Sequence, residues 1–174
     1  MASKITTLET IQQCQRCTLA CTRYNVVMGR GDLPCDLLCI GEAPGKSEDL
    51  LGEAFVGEAG KLLDQMFLQA RLINRSIYLT NVVLCHPTDK RGGANREPTQ
   101  TEILACMSNV MSIVNWAQPR VVLLIGDVAE KYYKKTFPGA YHITHPAALL
   151  RTGGAQSPYY LKNIRILEEI NASL

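Results

Sequence analysis

Apolar residues along the chain follow two patterns in alternation. Four short, unbroken runs, DLLCIG (36–41), SIYLTNVV (76–83), RVVLLIG (120–126) and AYHITH (140–145), have the length and apolar density of buried strands. Between them the apolar positions recur at helical spacing. In KLLDQMFLQA, residues Leu62, Leu63, Met66, Phe67 and Ala70 share one stripe, and Ile103, Met107, Val110 and Val114 form another. Thr99 and Glu102 make a capping-box pattern at the start of the second helix, and Pro119 ends it. Strands alternating with helices predict an α/β fold of three α/β/α layers around a central, mostly parallel four-stranded sheet. No repeat, low-complexity tract or Pro/Ser linker divides the chain, so a single domain over residues 1–174 is expected.

Composition narrows the function classes. Apolar content of 47% and charged content of 20% are those of an ordinary globular domain. A formal charge of +2 means that any contact with nucleic acid rests on local patches. The N-terminal stretch MASKITTLETIQQ lacks an apolar signal-peptide core, and no run is long enough to span a membrane. A cytoplasmic monomer is therefore expected, without membrane contact. Seven cysteines are many for such a chain, and their odd number argues for metal or cluster ligation over disulfides. Cys14 and Cys17 form a C-x-x-C in a polar context, Cys21 follows one turn on, and Cys85 and Cys106 lie far downstream. Cys35 and Cys39 read as core fillers at the first strand. Thiolate sets of this kind bind zinc or an iron–sulfur cluster, and spacing alone leaves both open.

Ligands of parallel α/β sheets bind at the carboxyl ends of the strands, and three polar motifs fall there. GEAPGKSED (41–49) makes a tight turn that brings Glu42 and the backbone N–H groups of Gly41, Ala43 and Gly45 to the first strand's tip. Its GKS (45–47) is only a fragment of a Walker phosphate loop, which the motif does not complete. Asn81 ends the second strand, where its amide offers one donor and one acceptor suited to a base edge. THPAALLR (144–151) follows the fourth strand, and Pro146 holds His145 on a rigid turn.

Five ordered motifs, GEAPG, AFVGEAGKLL, YLTNVVLC, NREPTQTEILAC and HPAALLR, resemble those of the family 4 uracil-DNA glycosylases, the iron–sulfur branch of their superfamily. The resemblance runs from about Cys14 to about Arg165. It implies a DNA repair enzyme that flips uracil out of DNA, single- or double-stranded, and hydrolyses its glycosidic bond. It further implies a 4Fe–4S cluster on Cys14, Cys17, Cys85 and Cys106, with Cys21 left out. Glu42 matches the residue that positions the attacking water, and His145 the one that faces uracil O2. Phe55 matches the aromatic that stacks on the flipped base, and Asn81 the amide that reads it. Leu149, Leu150 and Arg151 match the loop that enters the duplex, and Lys90 and Arg91 in the basic loop are expected near phosphates.

The chain departs from the family pattern at Ala54, Glu58 and Ala147, and DKRGG (89–93) is an apparent insertion. A related branch captures uracil-DNA covalently through a histidine in an extended basic loop at this place, and carries GEQPG. Here Ala43 stands in that motif and Asn95 falls about where the histidine would lie. Hydrolysis with release of uracil is therefore expected. Covalent or turnover-free DNA binding is the alternative that His86 keeps open.

Overall fold

The computed structural model describes residues 7–174. The elements, in chain order, are α1 (Leu8–Gln12), α2 (Leu19–Thr22), β1 (Arg30–Gly31), β2 (Leu37–Gly41), α3 (Lys46–Leu51), α4 (Glu58–Gln69), β3 (Ile77–Asn81), α5 (Gln100–Ala117), β4 (Val121–Ile125), α6 (Asp127–Tyr133), β5 (Tyr141–Ile143), α7 (Pro146–Arg151) and α8 (Tyr160–Ser173). The four expected runs supply β2 to β5, all parallel. The sheet has a fifth member, because β1 adds antiparallel to the free edge of β3 in the order β1-β3-β2-β4-β5. Two residues containing a glycine carry no hydrophobic period, so this strand had no signature to read.

Alternation along each strand divides the interior into two layers. Leu37, Cys39, Leu79, Leu123 and Ile125 face α4 and α8, meeting Leu62, Leu63, Met66, Phe67, Ile164 and Leu167. Leu38, Ile40, Tyr78 and Leu124 face α5 and α6, meeting Ile103, Val110, Val114 and Tyr133. The α4 stripe is buried as its spacing predicts. The capping box of α5 also forms: Glu102 N–H donates to Thr99 Oγ1, and Thr99 N–H donates to Glu102 Oε2. Cys35 and Cys39 are core residues. No helix among the described residues is long and apolar enough to cross a membrane.

The order of strands sets the position of the site. The chain leaves β2 towards β3 on one side and later returns to β4 on the other, so β2 lies at the switch point of the sheet. Gly41 and Asn81 pair in register at the carboxyl ends of β2 and β3. The turn after β5 brings His145 to the same edge.

Candidate active site

Two adjoining clefts open at this edge, of about 310 and 480 Å³. Phe55, Asn81, His145 and the Gly45 turn line the first, while Glu42, Arg96, Glu97 and Arg151 line the second. Ala43, Gly45, Asn95, His145 and Ala147 border both. Sizes in this range suit a small ligand.

The conformation of the chain brings the lining groups together. A Cβ on Gly41 would stand 2.5 Å from Phe55 Cζ and 2.6 Å from Asn81 Oδ1, so the bare backbone there makes room for both. Phe55 itself adopts a left-handed backbone (φ 56°), an uncommon conformation for a bulky residue. Its carbonyl would lie 1.7 Å from a Cβ on Gly60, which explains the glycine near the start of α4. The Phe55 and His145 rings stack at 26° with centroids 6.3 Å apart.

His145 caps α7. Its Nδ1 accepts from Ala147 N–H at 3.1 Å, which leaves Nε2 to carry the ring proton. The donor is backbone, so alanine at 147 retains the bond. Burial, aided by the Arg151 charge, lowers the His145 pKa to about 4 and keeps the imidazole neutral near pH 7. Glu42 shifts the other way. Burial first and the Glu97 carboxylate second raise its pKa, against a smaller pull from Arg151.

Three positioning groups were not evident from sequence. Glu48 binds both turns of the first cleft, accepting from Gly45 N–H (3.0 Å) and Gly57 N–H (2.7 Å). Its placement three residues into α3 is a capping pattern that was available to read. Asn163, buried on α8, accepts from Thr144 N–H (3.1 Å) and donates to Thr144 C=O (2.8 Å), which fixes the backbone just before His145. Asn95 reaches both clefts from the insertion loop through a bond to His86, a pairing that no periodicity marks.

One expectation is corrected. Leu149 is fully buried in the core, packed among α4 and α8 residues, because Pro146 and the His145 cap start a helix where a loop was expected. Of the three residues expected to enter the duplex, Leu150 (42% exposed) and Arg151 reach the surface. Lys90 and Arg91 are also exposed, and Arg91 stacks over Tyr24 at 5.5 Å.

The cysteines gather from three segments. Cys106 senses the charges of Cys14 and Cys17, and Cys85 those of Cys106 and Cys17. N–H donors point at three of the sulfurs: Arg16 Nε at Cys14 (3.5 Å), Leu84 N at Cys106 (3.4 Å) and Arg23 Nη1 at Cys85 (3.7 Å). As thiols, Cys85 and Cys106 are pushed by burial up to about 12 and about 11. Such donors stabilise thiolates, the form in which cysteine binds a metal. Sulfurs brought together from three segments with N–H donors aimed at them form a donor set of the kind that binds zinc or an iron–sulfur cluster. Cys21 is exposed.

A family model for the uracil DNA glycosylase superfamily matches residues 28–172. The chain belongs to that superfamily. Among curated relatives, it is 36% identical over 127 residues to the type-4 uracil-DNA glycosylase of Archaeoglobus fulgidus, covering 73% of this chain and 61% of that one. It is 35% identical over 126 residues to the Saccharolobus solfataricus protein of the same description (72% and 56%). The Thermotoga maritima protein, also so described, is 34% identical over 125 residues (72% and 62%). The matched region thus spans less than two thirds of each of these uracil DNA glycosylase relatives.

Proposed function

We propose that the chain, acting as one glycosylase domain, removes uracil from DNA by hydrolysis and leaves an abasic site. The observation that carries this reading is a neutral His145, held with Nε2 as its only donor, in one cleft with an amide and an aromatic. Cleaving the glycosidic bond sends negative charge onto the base. A neutral N–H at O2 meets that charge as an oxyanion hole does. Phe55 stacks on the flipped base and offsets part of the stacking lost. Asn81 pairs with O4 and N3–H of uracil, and cytosine presents the opposite donor and acceptor there. Glu42 orients the attacking water and faces the cationic sugar, with Arg151 and Leu150 against the strand.

Cys14, Cys17, Cys85 and Cys106 would hold a 4Fe–4S cluster. Bound there, it supplies a structural cross-link between the N-terminal segment, the loop after β3 and α5. Against the covalent alternative, His86 is fully buried with its Nε2 bonded to Asn95.

A duplex with one uracil tests the function. Alkali-labile breaks at the uracil and free uracil in solution are the expected result. A protein–DNA band that survives denaturation, or no strand breakage, would overturn it. A second expectation concerns packing: Gly41→Ala should slow excision about 100-fold by displacing Phe55 and Asn81. An unchanged single-turnover rate would count against the shared-space argument.

A further inference from the structure

We infer that His86 and Asp49 are positioning residues that set the amide of Asn95 at the mouth of the cleft. Asn95 lies on an exposed loop, yet it borders both clefts. Its Oδ1 is held 2.7 Å from His86 Nε2, and its Nδ2 faces Gly45, 3.5 Å from where a Cβ would stand. His86 is fully buried and Asp49 is 1% exposed. His86 Nδ1 and Asp49 Oδ2 lie 3.5 Å apart, and neither has another partner among the described residues. Asp49 cannot turn away, because its Oδ1 accepts from Tyr24 N–H (2.8 Å) and Asn25 N–H (3.0 Å).

Two buried polar groups facing only each other are costly unless they bond, and here the chain of contacts ends on a side chain at the cleft. With one end of the amide committed to His86, the other end is presented to the cleft that also contains Glu42. An amide on a loop without such an anchor would present its two ends interchangeably. The DKRGG insertion makes the anchor useful, since it lengthens the segment between Cys85 and Asn95. Asp89 at its start bonds Arg96 at its end (2.9 Å), which closes the loop around Asn95.

The inference rests on the proposed glycosylase reading, and a double-mutant cycle tests it. Asn95→Ala is expected to lower the single-turnover excision rate about tenfold, the scale of one lost hydrogen bond. His86→Ala should lower it as much, and the two together no more than Asn95→Ala alone. His86→Gln, which retains an amide donor, should restore part of the rate. Should His86→Ala not fold, Asp49→Asn takes its place in the cycle. Additive losses, or no loss in Asn95→Ala, overturn the inference while leaving the glycosylase reading intact. An inactive wild type overturns that reading, and the Asn95 side-chain amide resonances then decide the inference. Shifted from the solvent-exposed values in the wild type and restored to them by His86→Ala or Asp49→Asn, they support it; at those values in the wild type, they overturn it.

Discussion

Replacing His145 with alanine should slow uracil release by about 10²–10³-fold in single turnover, the range for loss of one oxyanion-type donor. DNA affinity should hold, since the imidazole gains its partner as charge develops on the leaving base. The effect depends on the ring being neutral. A charged imidazole would bind many anions, whereas a neutral donor favours O2 of the departing base without drawing a phosphate into the pocket. Burial and Arg151 keep the pKa near 4, and the Ala147 N–H bond fixes the proton on Nε2. The pH profile separates the two catalytic assignments. Glu42 must be ionised to orient water, and its pKa is raised, so the wild-type rate should fall on the acid side above the ordinary carboxylate range. His145 stays neutral until about pH 4, below that limb. His145→Ala should therefore retain the acid limb on a lower rate, and Glu42→Gln should remove it. A limb that vanishes with His145 would exchange the roles.

Legibility of the fold follows from how each element announces itself. The strands β2, β3 and β4 are largely buried, so their apolar runs stood out, as did the α4 stripe and the α5 cap. β1 has two residues and gains its identity from pairing with β3, which no local pattern encodes. In the site, Glu42, Asn81 and His145 were visible because each lies at the carboxyl end of a strand. Leu149 was misplaced because an apolar pair beside a basic residue reads alike as an exposed wedge or as the inner face of a short helix. The His145 cap decides for the helix. Asn95, Asn163 and Glu48 act through bonds to residues that are close in space. Glu48 alone stands at a capping spacing, and for the other two only the folded chain identifies the partners.

Cys85→Ala should cost more than any other single change proposed, removing the cluster and much of the stability together. Cys85 closes the segment that begins with Asn81, and its neighbour His86 anchors Asn95. Its sulfur draws Arg23, which follows α2, while Cys106 draws the Leu84 N–H and belongs to α5. Arg16, beside Cys14, also binds Ser108 and Asn109 of α5. One inorganic core joining these pieces would replace a packed interface that the short helices α1 and α2 are too small to build. The expected result is loss of visible absorption and of bound iron and sulfide. The melting temperature should fall by about 10 °C or more, since ~1 kcal/mol moves a domain of this size by ~2–4 °C. Cys21→Ala, an exposed thiol outside the set, is the control and should retain iron, colour and melting temperature. A Cys85→Ala protein that keeps iron, or a wild type containing a single zinc and no iron, would refute the cluster assignment. Excision by the remaining folded Cys85→Ala protein should drop further than its folded fraction, because the loop that delivers Asn95 has lost its anchor one residue away from His86.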